Sequence, residues 1–229
     1  MRQMSSGVSH DKLAQVAHEL RSPLGAILGW AHLLRRQGCD EDHQRGLEVI
    51  EQCVHAQNRL LESLLYLSRL HGADVRLDMQ DVEPRLVVDA AMREVESEIA
   101  RKRLRVGKVL DLAAGPVTGD EAGLVLAVRI LLRNAVRFSP DEGTVEVHVT
   151  RVGNDAEIAV ADRGPGIEPE ALPGLFASFD EGAAQRQAPL CLGLALVQRI
   201  ASMHGGSVHA ASEGKGRGAT FALRLPLRA

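Results

Sequence analysis

Apolar residues along this chain change their period near residues 71–76, and that change decides what the chain can fold into. Before it they recur at Leu13, Val16, Ala17, Leu20, Leu24, Ile27, Leu28, Ala31 and Leu34, the spacing of one face of a helix. After the break "RQGCDEDHQ" a second run, Leu47, Ile50, Val54, Leu61 and Leu64, steps by threes and fours, with Gln57 and Ser68 as polar interruptions of a coiled-coil-like seam. Two long helices joined by a short turn form an antiparallel hairpin. A lone hairpin leaves both seams wet, so pairing with a second copy into a four-helix bundle is the natural way to bury them.

Around "HGADVRLD" the helical period stops and a mixed order begins. Residues 84–100 read as a helix, 104–110 as a strand and 120–138 as a helix. The β-rich pair "TVEVHVTRV" and "AEIAVADRG" follows, then a helix over 192–203 closed by "HGG", and two strands, "SVHAAS" and "ATFALRLPL". The expected organisation is α+β: a helical hairpin over residues 9–72 and a two-layer α/β sandwich over 76–229. Residues 168–189 carry no pattern, and unpatterned stretches of about 20 residues inside compact domains are usually functional.

Composition removes several function classes. A net charge of −3 with interspersed Lys, Arg, Asp and Glu offers neither a basic stripe for nucleic acid nor a polybasic patch for membrane. The longest apolar run, Leu190 to Val197, is far short of the ~20 residues that cross a bilayer, and no signal-peptide core is visible, so a soluble, cytoplasmic chain is expected. Cys39, Cys53 and Cys191 lack metal-ligand spacing and read as small buried apolar residues of a reducing compartment. "HELRS" begins like a zinc-protease motif, but Ser22 stands where the second histidine ligand must be.

Four stretches carry residue types suited to chemistry. In "AHELRSPL" a helical wheel turns His18 away from the apolar stripe, beside Glu19. Pro23 within the helical pattern removes a backbone bond at a cost of ~3 kcal/mol, which opens the helix where a partner could dock. In "LLRNAVRFS" Asn134 and Arg137 are three apart on one helical face; an amide oxygen can ligate Mg2+ and a guanidinium can meet phosphate, although an asparagine capping a neighbouring loop would look the same. "DRGPGI" leaves a strand with a carboxylate and two glycines, as a ligand loop or a hairpin turn would. "EGKGRGAT" is a second glycine-rich turn with the same two readings. Neither a GxxxxGK[ST] loop nor a strand-GxGxxG-helix fingerprint is present.

Taken in order, these motifs resemble the histidine kinases of two-component signalling. "AHELRSPL" looks like the H-box, "LLRNAVRFS" the N-box, "DRGPGI" the G1 box, "GLFASF" the F-box, "LCLGLAL" the G2 box and "GKGRGATFALRLPL" the G3 region. The resemblance implies a dimeric phosphotransfer hairpin and a Bergerat-type domain binding ATP with Mg2+. It makes His18 the phosphoacceptor, Glu19 the group that orients its ring or takes its proton, and Ser22 the hydroxyl where phosphatase-capable relatives place Thr or Asn. Asn134 would hold Mg2+, Arg137 would meet phosphate and Asp162 would bind the adenine amine. Gly164, Gly166, Ile167, Gly193, Leu194 and Thr220 would line the nucleotide site. The implied partners are a second copy of the chain and the receiver domain of a response regulator.

Three positions depart from the family pattern. Ile130 stands where an earlier N-box asparagine is usual, and Pro189 and Cys191 replace G2-box glycines. Proline lacks an amide donor and cysteine adds a Cβ, so reduced nucleotide affinity is expected. A relative that uses ATP weakly and serves as a dimeric phosphotransfer or regulatory scaffold is the alternative; another Bergerat-type ATPase is disfavoured by the histidine hairpin.

Overall fold

The computed structural model of the chain divides into two compact units, Met1–Val75 and Arg76–Ala229. It describes residues 77–176 and 191–228 and, in the first unit, 24–31, 34, 45–47, 49–50, 53–54 and 57. Those first-unit residues are helical. Gly46 is buried there, packed so closely that a Cβ would fall 2.9 Å from Leu34 Cδ2 and 3.0 Å from Trp30 Cε3. Leu24, Leu28, Leu47 and Val54 are nevertheless exposed, Leu28 by 61%. Cys53 is a free, half-buried thiol.

Among the described residues the second unit holds two sheets and three α-helices. β1 (Met79–Val82) pairs antiparallel with β3 (Val117–Asp120). The main sheet has the order β2-β4-β5-β7-β6, from β2 (Arg105–Leu110), β4 (Thr144–Val152), β5 (Asp155–Asp162), β7 (Ala219–Pro226) and β6 (Ser207–Ala211). Among the described strands of this sheet only β2 and β4 pair in parallel. An isolated bridge from Val117 to Leu227 joins the two sheets.

Alternation along the central strands makes one face of this sheet apolar. Val145, Val147 and Val149 of β4, Ala156, Ile158 and Val160 of β5, and Phe221, Leu223 and Leu225 of β7 are buried. Leu124, Ala127, Val128, Leu131, Leu132 and Ala135, recurring at helical spacing, are buried along α2 (Glu121–Phe138). Full burial of each Val, Leu or Ile side chain stabilises the unit by roughly 1.5–3 kcal/mol. Alternate positions of the strands, among them Glu146, His148, Ala161 and Thr220, face the other way and stay half-exposed.

α1 (Pro84–Arg101) begins with proline at its first position, where no amide donor is needed. Two residues past its end stands Arg103, held at φ 52 in the left-handed region where helix stops usually place glycine. Rungs spaced by four residues stitch it to α2: Glu94 to Arg129, Glu98 to Arg133 at 3.0 Å, and Lys102 to the end of α2. Asp120 caps α2, its Oδ1 accepting the Gly123 N–H at 2.7 Å. α3 (Cys191–Met203) is followed by "HGG", whose histidine does more than precede a glycine stop. Gly205 at φ 69 does close the helix, but His204 is itself buried at 6% exposure. Its Nδ1–H donates to the Ile200 carbonyl at 2.7 Å and its Nε2 accepts the Asp120 N–H at 2.9 Å, which ties the end of α3 to the start of α2.

β1, β3 and the 3-10 turn Leu112–Ala114 are not announced by any periodicity in the sequence. The two strands are four residues each, and β1 is buried only at Val82, too short and too exposed for alternation to register.

Candidate nucleotide-binding site

The site starts at the end of β5. Each second residue of that strand faces the core, and the last of them is Asp162, a carboxylate where the three before it are Ala156, Ile158 and Val160. It is 7% exposed. Burial pushes its pKa above the ordinary carboxylate value, and backbone N–H groups of Gly164 and Ala219 act in the opposite direction by hydrogen-bonding the charged form. The Gly164 bond, 2.8 Å to Oδ1, also fixes the orientation of the carboxylate. A buried acceptor of this kind at the edge of a core is suited to an amine donor on a planar, largely apolar ligand.

The two glycine-rich turns, ambiguous separately, interlock. Gly218 N–H donates to the Gly164 carbonyl at 3.2 Å, and Gly216 N–H to that of Pro165. The Ser212 hydroxyl accepts the Ile167 N–H at 3.0 Å and donates to the Gly218 carbonyl at 2.6 Å. Gly166 and Gly218 adopt φ 74 and 71, and a Cβ on either would run into a backbone carbonyl oxygen, of Gly214 and Asp162 respectively. The "DRGPGI" stretch is therefore a loop braced by "SEGKGRG", because β5 pairs with β7 and β7 follows directly from the second turn. Ser212 went unnoticed in the sequence, where only its place ahead of a glycine-rich turn marks it.

The last turn of α2 abuts this loop. A Cβ on Gly164 would lie 2.7 Å from the carbonyl oxygen of Phe138. Asn134, half-buried, and Arg137, exposed, lie on that same terminal stretch, and the Arg137 guanidinium carbon is 5.4 Å from the centre of the Phe138 ring. Among the described residues no group of three or more His, Cys, Asp or Glu is placed to hold a metal ion. A lone amide oxygen is consistent with Mg2+, which keeps several waters and takes its other ligands from phosphate.

Gly193 lies in the first turn of α3, where a Cβ would come 3.2 Å from Ile130 Cγ2. Leu194 is a core residue, 2% exposed, so its side chain is committed to packing and its backbone is the part available to a ligand. The first N–H groups of α3 have no acceptor within the helix, an arrangement that suits anions. Thr220 is not brought to Asp162: the register pairs Asp162 with Ala219 and sets Thr220 beside Ala161 on the opposite face. His18, Glu19 and Ser22 lie outside the described residues, as do Pro189 and the stretch 177–190 between the site loop and α3.

Comparison with known proteins agrees with this geometry. Residues 12–73 match the model of the His Kinase A (phospho-acceptor) domain, and residues 119–229 that of the histidine kinase-, DNA gyrase B- and HSP90-like ATPases. The sensor-like histidine kinase SenX3 of Mycolicibacterium smegmatis is 34% identical over 94% of this chain and 57% of its own length. The chain spans about half the length of the curated relatives of this kind. Full-length ShkA in complex with AMPPNP superposes with a TM-score of 0.64 at 26% identity, covering 96% of this chain and 46% of that one. The histidine kinase AdeS of Acinetobacter baumannii shares the fold, with a TM-score of 0.67 at 23% identity over 93% of this chain and 98% of its own. A phosphoacceptor domain followed by an ATPase-like domain, in that order and with these relatives, places the chain in the two-component sensor histidine kinase family.

Proposed function

We propose that this chain is a histidine kinase core that phosphorylates its own His18 from ATP and passes the group to an aspartate of a response-regulator receiver domain. The observation that carries the nucleotide half is the contact between the Asp162–Ile167 loop and the last turn of α2, which gathers an amine acceptor, an amide and a guanidinium at one end of the unit. ShkA, a relative by fold and sequence, was solved with the ATP analogue AMPPNP. Asp162 would accept a hydrogen bond from the adenine amine. Asn134 would hold Mg2+, which supplies charge neutralisation on the phosphates, and Arg137 would swing from Phe138 to meet a phosphate oxygen. The N-terminal N–H groups of α3 would take up further phosphate charge. Little covalent help is needed beyond alignment, so a neutral imidazole at His18, oriented by Glu19, suffices as the nucleophile. The unit boundaries would be 9–72 for dimerisation and phosphotransfer and 76–229 for ATP binding. The exposed Leu24, Leu28, Leu47 and Val54 favour burial against a second copy, as in a four-helix bundle. Cytoplasmic placement fits this role, and among the described residues no helix is long and apolar enough to cross a membrane.

The packing of Ile130 at Gly193 supports a second reading, a dimeric scaffold with weak ATP use. Incubation with γ-labelled ATP and Mg2+ separates the two. Acid-labile label on the wild type, lost in His18→Ala and Asn134→Ala, is expected for a kinase. Label that survives His18→Ala overturns the phosphoacceptor assignment, and an unlabelled wild type favours the scaffold.

A further inference from the structure

Lys102 follows directly on α1, and its ammonium reaches across to the end of α2. It donates to the carbonyl of Arg137 and to that of Ser139, each at 2.8 Å. The residue between those two is Phe138, whose carbonyl oxygen meets the Cα of Gly164 so closely that a Cβ would stand 2.7 Å from it. Gly164 in turn donates its N–H to Asp162 Oδ1 at 2.8 Å and accepts the N–H of Gly218 at 3.2 Å. A cation thus clamps the two carbonyls on either side of the one that supports the nucleotide loop.

We propose that Lys102 is a positioning residue for the nucleotide site: by gripping the final carbonyls of α2 it sets the height of Phe138 under Gly164, and so the aim of the Asp162 carboxylate relative to Asn134 and Arg137. This inference rests on the nucleotide-binding reading above. Three features make the clamp effective. A helix end concentrates unpaired carbonyls and partial negative charge, which a cation satisfies with charge-assisted bonds. Lys102 is anchored at its own backbone, its carbonyl accepting the Glu142 N–H at 2.8 Å and its N–H donating to Glu98 at 3.3 Å. Glycine at 164 leaves no side chain to cushion a shift of the Phe138 carbonyl, so displacement there passes directly to the Asp162 bond.

The test is amide hydrogen exchange of the full chain without nucleotide, resolved at single residues for wild type, Lys102→Met and Lys102→Arg, followed by calorimetric titration of each with ATP and Mg2+. In Lys102→Met the N–H groups of Gly164 and Gly218 are expected to exchange at least about tenfold faster while Val160, within the β5 ladder, keeps its rate; Lys102→Arg should stay within about threefold of wild type. The Kd for ATP should rise about tenfold in the methionine variant and recover with arginine. Unchanged exchange at Gly164 and Gly218, or acceleration that includes Val160 equally, overturns the proposal. If the wild type fails to bind ATP, the functional reading is lost and the exchange pattern still decides the role of Lys102. Should Lys102→Met not fold, Lys102→Gln, which keeps an uncharged NH2 donor group on a shorter stem, is expected to show the same ordering at smaller amplitude, and equal rates there overturn the proposal too.

Discussion

The two sides of the nucleotide site are built from different materials. On the Asp162 side, one buried carboxylate and two interlocked turns are held by backbone hydrogen bonds through Gly164, Gly216, Gly218 and Ser212. On the α3 side, an isoleucine methyl from Ile130 packs at Gly193, and the nearby Leu194 is sunk in the core. Backbone scaffolding leaves no room for drift, because an added Cβ strikes a carbonyl. Apolar packing tolerates exchange of volume, and here Ile130 occupies the position where the family resemblance leads one to expect an amide. On the proposed reading, recognition of the base and handling of the phosphates would therefore be separable, the first resting on a rigid backbone scaffold and the second on apolar packing.

Several substitutions would break or sharpen that contrast. The largest effect belongs to Gly218→Ala, where a φ of 71 and the Asp162 carbonyl both oppose a Cβ. A loss of roughly 3 kcal/mol or more in urea unfolding is expected; a loss below about 1 kcal/mol would show that the braced loop is not rigid. Asp162→Asn should weaken ATP at least about 30-fold by calorimetry while leaving the fold intact, since the amide oxygen can still accept from Gly164.

The same variant has a signature in pH. The folded carboxyl of Asp162 holds its proton more tightly than the unfolded one. Its contribution to stability is therefore greatest below about pH 4, falls as pH rises through the raised folded value, and is constant above it. The Tm of Asp162→Asn should accordingly gain on wild type across that window, and a parallel pair of curves would refute the burial argument.

His204→Ala comes next. It strands the Asp120 N–H and frees the end of α3, at an expected cost of about 1–3 kcal/mol in unfolding. Smallest is Ile130→Asn, which restores an amide beside Asn134 and should tighten Mg2+-dependent ATP binding by about tenfold. No change there would mean that phosphate handling in this chain has moved elsewhere.

Much of this architecture was legible because it is periodic. The alternation in "TVEVHVTRV" and "ATFALRLPL" and the helical spacing from Leu124 to Ala135 announce elements whose bounds match to within a residue or so. β1 and β3 escaped because four residues give too few alternations and their exposure hides the rest. Within the candidate site, residue types spoke for Asp162 and Asn134, but the partnership of two glycine-rich turns about 50 residues apart is a fact of sheet order. Strand register likewise decides that Ala219, and not Thr220, stands opposite Asp162. His204 and Lys102 were missed for a common reason: each acts on the backbone of a distant segment, and backbone carbonyls and amides leave no trace in a sequence.

The two edges of the main sheet carry a consequence for assembly. β2, with Arg105 and Lys108 along it, and β6, only five residues long and outward-facing at Ser207 and His209, are both poor templates for an incoming strand. Charged or short borders of this kind discourage sheets from growing between molecules. Self-association of the chain is thereby steered away from strand addition, so the ATPase-like units resist knitting into ribbons through their sheet edges.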